Sequence, residues 1–193
     1  MDLPMVGPRE SKSIMTVEHA CEGCTMCCKL LAVPELQKPM GVWCPHVVNG
    51  QGCGIYETRP RSCRVFDCLW LTTDLPDYWK PDRSKMVVAG DETGLVLNII
   101  VDGGSIDVWR KPPYYSDLKG FARQMRWRVQ VLTPNEGWVI FPEEDLFLGR
   151  REPDDLIAAF GYKQHGAMRQ PMVAVQHGDG TRTEVLGGLY PNH

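Results

Sequence analysis

The sequence predicts an α+β protein in two parts. An irregular, cysteine-dependent module comes first, and a small, mostly antiparallel α+β domain follows. Three observations carry this reading. All eight cysteines fall between Cys21 and Cys68, and the 125 residues from Leu69 onward contain none. The cysteine-bearing stretch is crowded with turn formers and has few aliphatic runs. Further on, the pattern changes to short apolar runs separated by turn signals, with one amphipathic helical stretch. The chain has 193 residues, 43% of them hydrophobic and 23% charged, which leaves room for one ordinary domain or for a small module joined to a core-bearing one.

The elements follow in order. Residues 1–18 are polar and punctuated by Pro and Gly, so a flexible N-terminal segment is expected. Residues 19–83 form the eight-cysteine module. Pro34, Pro39, Gly41, Pro45, Asn49-Gly50, Gly52, Gly54 and Pro60 break it into turns, and 75–82 read as its exit linker. Residues 84–176 form the α+β domain. Strands are expected at 86–89 and 95–101, then a hairpin turn at 102–105 leading to a third strand at 106–109. Ser116 is placed to cap a helix whose apolar face is Leu118, Phe121, Ala122, Met125 and Val129. A second hairpin joins 129–132 to 138–141 around Pro134-Asn135-Glu136-Gly137. A short helix is expected at 153–160, stopped by Gly161, and a last strand at 172–175. Residues 177–193 read as a C-terminal tail.

The N-terminus has neither a basic region nor an apolar one of the secretory kind, and no window approaches 18 uninterrupted apolar residues. A cytoplasmic protein with no membrane association is expected. A formal net charge of −3 gives no electrostatic reason to expect a nucleic-acid partner.

In a reducing cytosol, structural disulfides are rare. The run Cys21-Glu22-Gly23-Cys24-Thr25-Met26-Cys27-Cys28 brings four sulfurs within eight residues, as metal sites do. Cys44, Cys53, Cys63 and Cys68 follow. Metal ligation is therefore the expected role of all eight, at one or two sites, and the metal should stabilise a module that has little apolar core of its own. From Cys21 to Trp70 the basic and acidic side chains leave a charge of +1, which eight bare thiolates would take to −7. A bound cation relieves that excess, and a metal deprotonates its thiols outright. Adjacent cysteines on extended backbone would project in different directions, so Cys27 and Cys28 can serve different sites, or one of them can be unligated and packed. The Cys-x2-Cys-x2-Cys run followed later by Cys44-Pro45 favours iron–sulfur ligation, although a ferredoxin run has three residues between its third and fourth cysteines and this one does not. Separated Cys-x2-Cys pairs are the usual zinc pattern, and the second group of cysteines has none. Zn2+ and an iron–sulfur cluster both stay open as the cofactor.

Cys21-x2-Cys24-x2-Cys27-Cys28 resembles the defining motif of the CxxCxxCC cysteine-cluster family, described as zinc- or iron-chelating proteins. Trp43-Cys44-Pro45-His46, with the stretch from Gly52 to Cys68 that includes Tyr56-Glu57-Thr58-Arg59-Pro60-Arg61-Ser62-Cys63-Arg64, is similar to that family's second signature. The match covers roughly a third of the chain. The resemblance implies a metal-binding module whose eight cysteines are the ligands. Some relatives are described as ferredoxin-like, which implies electron transfer. The alternatives are a zinc-binding structural or adaptor module and a metal store or chaperone.

Around the cysteines, Arg59 and Arg64 are candidates to hydrogen-bond the sulfurs. They are weighed against a role as solvated surface charges. His46 is read as a neighbour of the ligands rather than a ligand, His19 likewise, and Tyr56 as a packing residue. The tryptophans read as core. Lys119, Arg123, Arg126 and Arg128 read as a solvated helix face or a contact for an acidic partner, and any protein partner is expected on 84–176. No phosphate loop, metalloprotease helix or nucleophile elbow occurs, so no catalytic residue is assigned.

Overall fold

The computed structural model describes residues 19–21, 23–66, 68–91, 96–124, 128–152 and 154–192. The expected flexible segment 1–18 lies outside the described residues, as do Leu95, Met125, Arg126, Trp127 and Pro153. The architecture is mixed α+β with three mostly antiparallel sheets.

The cysteine-bearing segment holds only short elements. These are helix α1 (Met26–Leu30), the two-residue strands β1 (Val47–Val48) and β2 (Gly52–Cys53), and helices α2 (Arg61–Val65), α3 (Leu69–Thr72) and α4 (Pro81–Ser84). None reaches two full turns or a third paired residue, as expected where Pro and Gly recur every few positions. The presumed linker is nothing of the kind. Asp77–Trp79 forms a 3-10 turn, and Trp79 is completely buried in the main core.

The centre of the molecule is a five-stranded sheet of β3 (Met86–Gly90), β4 (Val96–Val101), β5 (Arg128–Leu132), β6 (Glu136–Ile140) and β7 (Asp145–Arg150), paired in that order. Every neighbour is antiparallel except β4 and β5, which run parallel. A parallel pair needs a crossover. Helix α5 (Tyr114–Arg123) supplies it. This overturns the strand expected at 106–109. The Asp102 side chain accepts a hydrogen bond from Gly104 N and opens a 3-10 turn at Gly103–Ser105. A second turn, Val108–Arg110, drives Trp109 into the core instead of into a ladder. The helix starts before Ser116, with Pro113 at its cap position. Val129, expected on its apolar face, belongs to β5.

The second half ends in a further sheet. Strand β8 (Leu156–His165) pairs with β9 (Met168–Gln176), and β10 (Arg182–Leu186) and β11 (Tyr190–Pro191) pair with the other side of β9. Where a helix was expected at 153–160, the chain is strand from Leu156 on. Only nine contiguous partners along β9, running on through a turn at Gly166, reveal it, and tertiary pairing overrides local propensity there. Residues beyond His177 continue the sheet.

Period-two alternation gives the central sheet two buried faces. Met86, Val88, Ile99, Val101, Val129, Val131 and Ile140 pack with Trp79, Trp109, Leu118 and Ala122 on the α5 side. On the opposite face Val87 and Ile100 meet Cys24, Met26 and Leu30. Val139, Phe141 and Leu146 meet Val173 and Val175 of the last sheet. A sheet covered on both faces explains why β3 reads as an uninterrupted apolar run. The basic face expected on α5 is partly internal. Lys119 is buried, with its ammonium 2.7 Å from an Asp145 carboxylate oxygen and donating to Phe141 O. Arg128 lies in β5, half-buried.

Candidate metal centre

Two stretches deliver the thiols. Cys24 N donates to Cys21 O across a 2.7 Å turn, in which Gly23 adopts φ +69°. Helix α1 follows at once, so Cys27 and Cys28 are helical neighbours about 100° apart rather than opposed across a strand. Cys44 N donates to Cys28 O at 3.0 Å and Val47 N to Cys44 O at 3.2 Å, while Val47 pairs with Cys53 across the β1–β2 ladder. Cys63 sits in α2. That helix is tied to the turn at Pro34–Leu36 by Ser62, whose backbone N and Oγ both donate to the Glu35 carboxylate at 2.9 and 2.7 Å. Cys68 precedes α3 and is buried in the main core.

All eight are free thiols. Seven of them (Cys21, Cys24, Cys27, Cys28, Cys44, Cys53 and Cys63) line one cavity of about 250 Å³. Cys68 is not on its wall. Among the described residues, no group of three or more His, Cys, Asp or Glu side chains is drawn together as a metal-holding set. The cysteines therefore surround a space instead of converging on a point.

The charge environment is uneven. Burial raises Cys21, Cys24, Cys63 and Cys68 above the ordinary thiol range; neighbouring thiols add to the rise at Cys21, Cys63 and Cys68, and the Asp82 carboxylate adds to it at Cys24. At Cys27 and Cys28 the two side chains hydrogen-bond each other. Sharing that bond lowers Cys28 to about 7 and raises Cys27, and burial raises Cys27 further. The Lys38 ammonium also favours the Cys28 thiolate.

Lys38 is the residue that sequence reasoning missed. It is 5% exposed, and its ammonium donates to Lys29 O at 3.1 Å, Pro39 O at 3.0 Å and Leu31 O. Three donors meet three acceptors, so a buried cation is fully satisfied. Burial pulls its pKa below the lysine range, against the pull of Cys44, Cys28, Cys27 and Cys63 in the other direction. The surrounding Gln37-Lys38-Pro39 carries no motif. The one available signal was the need for positive charge beside so many thiols.

Other candidates are placed less centrally. Arg59 lines the cavity, stacks on the Tyr56 ring with its guanidinium carbon 3.8 Å from the centroid, and donates to Tyr56 O at 2.7 Å. Tyr56 itself is exposed, so its packing partner is Arg59 and not a core. Arg64 is exposed and off the cavity wall. The half-buried His46 is also off the wall, and its carbonyl accepts from Gly54 N at 2.8 Å. His19 stacks on Trp70, its ring nitrogen hydrogen-bonded to Trp70 O. Large exposed apolar side chains gather in the cysteine-bearing segment (Met40, Val42, Trp43, Val48, Tyr56 and Val65), with Ile106, Phe147 and Leu156 in 84–176.

The chain matches no family model, no curated protein and no solved structure. The reading of the site rests on its own donor set. Eight unpaired thiols, a buried ammonium and a cavity-facing arginine suit a soft, thiolate-ligated cation. Among the described residues no helix is long and apolar enough to cross a membrane.

Proposed function

We propose that this chain is a metal-binding protein whose cysteine cluster holds an iron–sulfur cluster and exchanges electrons with a redox partner. The observation that carries the proposal is the cavity walled by seven cysteines with no three gathered tightly. A tetrahedral zinc site, with Zn–S near 2.3 Å, packs its sulfurs roughly 3.8 Å apart around one ion. A polynuclear cluster carries its own inorganic sulfide and keeps the protein sulfurs apart, which is the arrangement a cysteine-lined hollow favours. When bound, such a group supplies one-electron exchange at a potential set by charge, hydrogen bonding and burial. Lys38 and Arg59 are the cationic groups placed to raise that potential. The exposed apolar side chains of the cysteine-bearing segment offer a partner protein a contact surface close to the cluster, beside the one expected on 84–176.

The test is a visible spectrum of anaerobically purified protein, with iron, sulfide and zinc measured on the same sample. Broad visible absorption with iron and acid-labile sulfide in equal amounts is the expected result. A colourless protein with stoichiometric zinc would overturn it and leave a structural or adaptor module.

A further inference from the structure

Eight sulfurs, seven of them on one cavity wall and Cys68 behind it, can serve one centre, with four thiols to spare, or two. The backbone distinguishes these. Cys28, Cys44 and Cys53 are linked through a continuous set of main-chain contacts, Cys44 N to Cys28 O, Val47 N to Cys44 O, and Val47 against Cys53. Cys63 reaches the same group from α2, held there by the Glu35–Ser62 pair. The thiols that act on it electrostatically are Cys28, Cys44 and Cys53. Cys68 has Cys24 as its thiol neighbour, and Cys21 has Cys24 and Cys68 ahead of Cys28. Cys27 faces Cys28 but then Cys21 and Cys24. Its helical offset of about 100° from Cys28 lets the pair straddle a boundary.

The surroundings divide in the same way. Cys24 and Cys27 belong to the apolar seam on Val87 and Ile100, and Cys68 to the main core. Cys44, Cys53 and Cys63 lie in a lobe where, from Pro34 to Phe66, only Lys38 and Gly52 are buried. Cys24, Cys27 and Cys68 are backed by buried apolar clusters, whereas Cys44, Cys53 and Cys63 have only half-buried neighbours such as Leu36, Ile55 and Phe66 on the cavity wall.

We infer that the eight cysteines form two four-thiolate sites, Cys21, Cys24, Cys27 and Cys68 against the central sheet, and Cys28, Cys44, Cys53 and Cys63 in the coreless lobe. The Cys27-Cys28 step is the boundary between them. This rests on the metal-binding reading above and adds the partition.

The experiment is native mass spectrometry of the full chain, purified anaerobically and reconstituted with iron(II) and sulfide, counting metal centres per chain. Wild type should carry two. Cys63→Ala and Cys68→Ala should each carry one. The pairs decide the grouping. Cys27→Ala/Cys68→Ala and Cys28→Ala/Cys63→Ala should each keep one centre, whereas Cys27→Ala/Cys28→Ala should keep none. Far-ultraviolet circular dichroism on each variant confirms that the sheets persist, and any variant that loses them is replaced by the serine form at the same position. A single centre in wild type, or a Cys27→Ala/Cys68→Ala protein with none, overturns the partition while leaving metal binding intact. Wild type with no metal overturns both. Retention of zinc instead of iron overturns only the iron–sulfur assignment, and the same count in zinc then decides the grouping.

Discussion

The lobe from Pro34 to Phe66 and the seam just before it hold their cysteines by different means. At the seam, Cys24, Met26 and Leu30 are buried on Val87 and Ile100. A fully buried leucine or methionine of this kind contributes about 1.5–3 kcal/mol. In the lobe no apolar side chain is buried, and order rests on main-chain turns, a two-residue ladder, Glu35–Ser62 and the satisfied Lys38 ammonium. Segments with so few buried contacts sit at the low end of local stability unless something binds them. The contrast teaches that one part of the cysteine-bearing segment is anchored by the sheet, while the other has no such anchor and is the part that a bound metal would stabilise.

Metal removal should therefore have the largest effect, and only on the lobe. Structural metal binding contributes about 10–16 kcal/mol in small zinc modules, and we expect loss on a comparable scale here. Hydrogen exchange read by mass spectrometry should show residues 44–66 losing nearly all protection after chelation, while β4 and β5 keep theirs. Equal loss in both regions would erase the distinction. Next in size are two substitutions on the anchored side. Leu30→Ala removes the seam's most buried side chain and should cost about 2–5 kcal/mol. Lys119→Met leaves the Asp145 carboxylate without its cation, with only the Tyr115 hydroxyl still donating to it, and should cost about 3–5 kcal/mol, a fall in Tm on the order of 10 °C. Neither should change the metal content of the lobe, and elemental analysis of the folded variants checks this.

Lys38→Met is expected to be milder. It orphans carbonyls that its ammonium satisfied, at about 1–3 kcal/mol, and it removes the buried cation beside Cys28 and Cys44. Metal should be lost to a competing chelator at lower concentration than in wild type, a difference that a surface lysine substitution such as Lys163→Met should not reproduce. The smallest effect is chemical. In metal-free protein the shared hydrogen bond with Cys27 holds Cys28 at about 7, below the ordinary thiol value, so its thiolate fraction rises as pH climbs through 7. Iodoacetamide labelling mapped by mass spectrometry should find Cys28 modified first at neutral pH, with Cys21, Cys24, Cys63 and Cys68 slower because burial raises them. Loss of the Cys28 preference in Lys38→Met would tie the two results together.

The legible parts of the fold were those with local signals. Short apolar runs bounded by turn signals announced β3 to β6, and Leu118 and Ala122 marked the inner face of α5. Long-range pairing was not legible. Nothing between Leu156 and Phe160 distinguishes a short helix from a strand until β9 lies beside it. Asp102-Gly103-Gly104 looks like a hairpin turn, and only Trp109 being drawn into the core shows that the chain instead crosses over to β5. At the site, spacing alone was enough to single out the cysteines. It could not reveal that Cys68 lies away from the cavity wall, that Arg64 faces solvent, or that a lysine in a featureless tripeptide is buried among the thiols.

The seam on Val87 and Ile100 also sets an order of events during synthesis. Cys24, Cys27 and Cys68 leave the ribosome before their backing exists, because Val87, Ile100 and Val101 all follow them. At typical translation speeds of about 5–20 residues per second, the 33 residues from Cys68 to Val101 keep that group uncovered for roughly 2–7 s. Under the two-site partition proposed above, the lobe waits for nothing downstream of Cys63, so it would load first and hold Cys28 before its helical neighbour has anything to lean on. Pulse alkylation of the nascent chain should then find Cys44 and Cys53 protected while Cys24 is still reactive.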